Sequence, residues 1–211
     1  MALTVSCGRS EPNLANLSSE GDVIVAFGDS ITYGYGVKAA EAYPAVLSET
    51  LGVEVINAGQ SGDTTATALE RLERDVLSLE PRLVIVELGG NDFLNKVPKE
   101  ETFRNMERIV SACIDSGSMV IMVHIKTGVW TDAYRDRFEE IAEMHGTLLV
   151  PNIMRGIFGK PSMMYDQIHP NAAGHEVIAG RIAEIVGPLL ARADAARDSA
   201  QNRISKSSQT R

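Results

Sequence analysis

Cysteine is scarce in this chain, two residues in 211, and two thiols build no disulfide framework. Cys113 falls on a helical face with Met106, Ile109 and Val110, the place of a buried structural thiol. Positive charge is also short: 20 Lys and Arg against 28 Asp and Glu leave a net charge of -8, which argues against a nucleic-acid surface. The basic residues that gather do so at the end, where Arg192, Arg197, Arg203, Lys206 and Arg211 outnumber Asp194 and Asp198. Residues 191–211 carry no apolar period and read as a flexible tail. No apolar run approaches the length that spans a bilayer. Internal repeats and interdomain linkers are lacking too, so residues 22–190 are expected to form one domain.

Ahead of that domain, residues 1–21 admit two readings. Leu3-Thr4-Val5-Ser6-Cys7, followed by the polar stretch Gly8 to Glu20, resembles the end of a bacterial lipoprotein signal, with Cys7 as the lipid acceptor. Thr4 stands where an aliphatic residue is usual and no charged region precedes it, so an ordinary frayed N-terminus fits as well. The first reading places the protein in the bacterial periplasm or envelope, and the second leaves it in the cytoplasm.

What is present is a regular alternation of short apolar runs with helical patterns, the signature of βαβ units around a parallel sheet. Hydrophobic content of 44% and charged content of 23% are globular values. Strands are expected at Val23 to Phe27, Val53 to Ile56, Leu83 to Leu88, Met119 to Val123 and Thr147 to Val150. Helices are expected near Ala42 to Leu51, after Thr65, from Lys99 to Asp115, from Asp132 to His145, and from Asn171 to Leu190. The stretch Pro151 to Ile168 has no sustained period, and a long irregular segment inside a domain is usually functional.

The polar loops after the first three strands, together with the segment before the last helix, would converge at one edge of such a sheet, where ligands bind. Their residue types suit acyl transfer. Gly28-Asp29-Ser30 offers a hydroxyl just past a buried strand, although the tripeptide alone also fits a plain turn. Gly62 offers an unobstructed backbone N–H, Asn91 a side-chain amide, and His169 a base. Asp166, three residues before His169, can accept from Nδ1 and leave Nε2 free for the serine. Asp29 and Asp92 are read as loop organisers, Asp63-Thr64 as a helix cap, and His124 and His145 as structural or solvated, while His175, six residues after His169, does not have a metal-site spacing. Ser61 is set aside because Gly59-Gln60-Ser61-Gly62 brings its last glycine one position early for a nucleophile elbow. Gly34-Tyr35-Gly36 lacks the third glycine of a dinucleotide site.

Gly-Asp-Ser-Ile-Thr, Asn-Ala-Gly-Gln-Ser-Gly-Asp-Thr-Thr, Glu-Leu-Gly-Gly-Asn-Asp and Asp-Gln-Ile-His-Pro-Asn resemble, in order, the four blocks of the SGNH (GDSL) hydrolases, nearest the bacterial arylesterase and thioesterase/lysophospholipase group. The likeness runs from about Asp22 to Leu190. It implies a three-layer flavodoxin-like α/β fold with a five-stranded parallel sheet in the order 2-1-3-4-5. It also implies Ser30 as nucleophile, His169 as base and acid, Asp166 as its orienting partner, and an oxyanion hole from Ser30, Gly62 and Asn91. No cofactor and no metal are implied. A small ester or lipid-like substrate follows, with a carbohydrate O-acetylesterase and a flavodoxin-like binding module as the competing functions. Phe93, Leu94, Trp130, Met163 and Met164 are the expected substrate contacts, and their apolar character favours an acyl or aryl group over a sugar.

Overall fold

The first strand, β1 (Ile24–Gly28), is buried along its whole length and lies in the middle of the sheet rather than at its start. The computed structural model describes residues 13–126 and 133–208. Around β1 stand β2 (Val55–Gly59), β3 (Leu83–Glu87), β4 (Met119–Val123) and β5 (Leu148–Val150), all parallel, in the order β2-β1-β3-β4-β5. Side chains alternate across the sheet, as a period of two demands. Ile24, Ala26, Leu83, Ile85 and Ile121 face helices α2 (Tyr43–Leu51) and α7 (Ala172–Ser208). Val25, Phe27, Val84, Val86, Val120 and Met122 face α3 (Thr65–Asp75), α5 (Lys99–Asp115) and α6 (Ala133–His145). Three layers result, and each fully buried Ile, Leu or Phe side chain contributes roughly 1.5–3 kcal/mol.

The register levels the carboxyl ends of the strands. Gly28 is paired with Gly59 on one side and Glu87 on the other, and Glu87 with Val123. The following loops therefore leave one edge together. Two short helices form there, α1 (Ser30–Tyr33) after β1 and α4 (Gly90–Leu94) after β3, where the sequence pattern suggests only loops.

Two boundaries differ from expectation for physical reasons. β2 begins two residues late and runs on through Asn57, because it is an edge strand, paired on one side, whose outer residues need not be apolar. The last helix does not stop near Leu190. It continues to Ser208 through a run rich in alanine and arginine, strong helix formers that need no apolar stripe. Ala193 is buried there, and Asp194 pairs with Arg82 at 2.5 Å.

Candidate active site

A tight turn presents Ser30. Asp29 caps α1 by accepting the Ile31 N–H at 2.9 Å, and Gly34 ends the helix in the left-handed region with φ +88°. The N–H groups of Gly34 and Tyr35 return to the Ser30 carbonyl at 3.1 and 3.0 Å. The Ser30 hydroxyl stands at the tip, 2.9 Å from His169 Nε2. On the other side of the ring, Nδ1 lies 2.8 Å from Asp166 Oδ2.

The three-residue spacing of Asp166 and His169 closes because the chain folds back on itself. Asp166 Oδ1 accepts the N–H groups of Ile168 and His169, each at 2.8 Å, which leaves Oδ2 for the ring. The Tyr165 N–H donates to the His169 carbonyl at 2.9 Å, and Met164 and Pro170 form an antiparallel bridge. Asn171 fastens this turn to the start of α7, donating to the Ser162 carbonyl at 3.1 Å and accepting the Gly174 N–H at 3.1 Å. Arg181, further along α7, donates to the carbonyls of Ile153 and Arg155 and so holds the beginning of the long loop. The hydrogen bond from His169 is the main cause that lowers the Asp166 carboxyl to about 2. An ionised Asp166 can only accept, so the ring proton sits on Nδ1 and Nε2 is the acceptor for the serine O–H. Tyr35 covers the imidazole, with ring centroids 4.5 Å apart.

Gly62 and Asn91 come from the neighbouring loops. Gly62 has φ +88°, a left-handed turn residue that a side chain would strain. After it, buried Asp63 binds Arg71 at 2.6 Å, and Thr64 caps α3. Asn91 Nδ2 donates to the Asp63 carbonyl at 2.9 Å and to Asp29 Oδ2 at 3.2 Å. Asp92, fully buried, accepts from the Thr65 N–H at 2.9 Å and the Thr65 hydroxyl at 2.6 Å, which ties α4 to the start of α3. Asp29, Asp63 and Asp92 are all loop fasteners. Among the described residues the backbone N–H groups of Ser30 and Gly62 make no hydrogen bond.

A cavity of about 330 Å³ opens beside Ser30 and His169, walled by Ile31, Phe93, Leu94, Ile125, Phe158 and Ile168, with Lys126 and Asn91 on its lining. Phe93 and Leu94 stand where the sequence places them. Met163 and Met164 are not on this wall. The Met164–Pro170 bridge and the bond from the Asn171 N–H to the Met163 carbonyl turn both side chains toward the aliphatic core under the His169 segment. Phe158, an apolar residue of the long irregular segment, stands on the wall with Ile125 and Ile168. Trp130 and Cys7 lie outside the described residues. Of the remaining histidines, His124 is buried, His145 stands 3.8 Å from Glu107, and buried His175 accepts the Tyr43 N–H on Nδ1 at 3.2 Å. Burial lowers His175 to about 4. Among the described residues no group of three His, Cys, Asp or Glu could hold a metal ion. Glu87, absent from the residues expected at the site, is buried beside Asp29; in the sequence it is a lone charge closing an otherwise apolar strand and the first residue of the Glu-Leu-Gly-Gly-Asn-Asp block.

A 2-1-3-4-5 parallel sheet that carries a linked serine, histidine and aspartate on its carboxyl edge belongs to the carboxylic ester hydrolases. Within that class, residues 26–177 match the GDSL-like lipase/acylhydrolase family, and the chain belongs to it. It is 31% identical over 182 residues to an arylesterase of Vibrio mimicus, covering 81% of this chain and 91% of the relative. It is 30% identical over 177 residues to thioesterase 1/protease 1/lysophospholipase L1 of Escherichia coli strain K12, covering 80% and 85%. Among solved structures, that of TesA superposes with a TM-score of 0.74 at 29% identity, covering 80% of this chain and 99% of the other.

Proposed function

We propose that the protein hydrolyses aryl or acyl carboxylic esters, or thioesters, through an acyl-enzyme on Ser30. His169 Nε2 takes the hydroxyl proton as Ser30 Oγ attacks the carbonyl carbon, and Asp166 supports the imidazolium that forms. The N–H groups of Ser30 and Gly62 and the side-chain amide of Asn91 receive the oxyanion. As the tetrahedral adduct collapses, His169 returns its proton to the leaving alcohol or thiol. A water molecule, activated by the same ring, then releases the acid.

The observation that carries this reading is the unbroken line from Asp166 through His169 to Ser30, at 2.8 and 2.9 Å, opening into an apolar cavity. The walls favour an acyl or aryl group; the names of the relatives point the same way. A panel of p-nitrophenyl esters of rising chain length, run beside acetylated xylan and a lysophospholipid, tests it. Turnover concentrated on acetylated xylan would move the protein to carbohydrate deacetylation, and no turnover at all would leave a binding module. Ser30→Ala should remove all but residual turnover while leaving the circular dichroism spectrum unchanged, with Ser61→Ala as an active control. More than a few per cent of wild-type activity in Ser30→Ala would exclude it as nucleophile.

A further inference from the structure

Two carboxyl groups meet under the floor of the site, and the triad uses neither. Asp29 is 4% exposed and Glu87 is 1% exposed. Gly28 makes their meeting possible, since a Cβ there would stand 2.2 Å from Thr32 Oγ1 and 2.9 Å from Glu87 Oε2. Glu87 receives the Thr32 hydroxyl at 2.9 Å, and its carboxyl lies beside that of Asp29. Thr32 in turn is 3.0 Å from the buried Tyr43 hydroxyl, which directs a file of O–H groups toward Glu87. Asp29 receives the Ile31 N–H and the Asn91 amide. Arg71, the buried guanidinium of this layer, is engaged with Asp63, Asp75 and the Gly28 carbonyl.

Two such groups in contact and away from water cannot both be ionised, so the pair holds a proton. Asp29 is the partner beside His169, whose positive charge in the catalytic step favours an anion there. We propose that Glu87 is a positioning residue held as the neutral acid, whose O–H donates to the Asp29 carboxylate and thereby governs how firmly Asp29 grips the Asn91 amide. Burial pushes Glu87 well above its ordinary value, as a neutral acid requires, and raises Asp29 only to about 6, which leaves it the ionised partner at pH 8.

The consequence is catalytic. One Asn91 N–H is fixed on the Asp63 carbonyl, so the other must serve both Asp29 and the oxyanion. A carboxylate already supplied by the Ile31 N–H and the Glu87 O–H competes less for that hydrogen, and a neutral Glu87 adds no second negative charge near the developing oxyanion. Removing the O–H donor leaves Asp29 to hold Asn91 back.

The inference rests on the oxyanion role proposed for Asn91, and Asn91→Ala in the same ester assay tests that role separately. Glu87→Ala should lower kcat about tenfold with KM nearly unchanged. Glu87→Gln, whose amide can donate to Asp29 and accept from Thr32, should restore most of the loss. In an Asn91→Ala background, Glu87→Ala should cost almost nothing further, because both changes act through one hydrogen bond. Infrared spectra of the wild-type protein at pH 8 should show a neutral carboxyl band that Glu87→Gln abolishes. Losses that add in the double variant, a Gln variant as impaired as the Ala variant, or a wild-type spectrum without the neutral band would overturn the proposal. The wild-type spectrum decides even where a variant fails to fold.

Discussion

At Asp166 a single carboxylate performs two tasks with different atoms. Oδ1 shapes the backbone turn and Oδ2 orients the ring. Asp166→Asn should separate them. The amide oxygen can keep the two backbone bonds, but an N–H then faces Nδ1 and forces the ring proton onto Nε2, where it blocks acceptance from Ser30. The expected outcome is a folded protein with kcat lowered by between about a hundredfold and 10⁴-fold, the upper figure being the scale of the same change in a serine-protease triad, and still less impaired than His169→Ala. Wild-type rates for Asp166→Asn would reduce the triad to a Ser30–His169 dyad. The residue types of this line are legible in the sequence, because Ser, His and Asp at a loop edge have few other joint uses. The role of Glu87 is not, although it opens the third motif block, since a carboxyl at the end of an apolar strand gains meaning only from what lies across the register, here Gly28.

The helices show where sequence patterns inform and where they mislead. α5 is legible residue for residue from Lys99 to Asp115, since one face of Met106, Ile109, Val110 and Cys113 is sharply apolar and wholly buried. The far end of α7 is not, because helix propensity without an apolar stripe leaves no period to read. At its near end, α7 is joined to α2 through His175 and the Tyr43 N–H, and this joint is sensitive to acid. His175 is lowered to about 4 in the folded chain from its ordinary 6.5. Between those values the unfolded chain binds a proton that the folded chain refuses, so this contribution is whole above pH 6.5 and is lost as the pH falls to 4. The loss is on the order of 3 kcal/mol. Asp29, raised to about 6, works in the opposite sense over part of that range, so the contribution is best read as a difference between variants. His175→Asn, which keeps an acceptor for the Tyr43 N–H, should flatten the fall in stability measured by urea unfolding between pH 6.5 and 4. An identical fall in both proteins would show that His175 titrates normally.

On the scale of the whole molecule, strand number, parallel direction and layering follow from alternating apolar runs and helical periods, while the strand order comes from the resemblance of the four motif blocks. The pocket wall is the least legible part. Ile125 follows β4 while Phe158 and Ile168 lie in the long loop before α7, and nothing in the local sequence distinguishes Phe158 from its neighbour Ile157, which is buried in the core. The distance along the chain between Ser30 and His169, 139 residues, also sets an order of events. The serine is synthesised well before its base, so a nascent chain carries an inert hydroxyl until the His169 segment has been made and folded back. Long-range parallel pairings of this kind are slow to form. On dilution from denaturant, ester hydrolysis should therefore return no faster than the slowest structural phase, well after the far-ultraviolet helix signal. Hydrolysis that returned ahead of that phase would show the edge assembling without α7; otherwise turnover is a clock that starts only when α7 has docked.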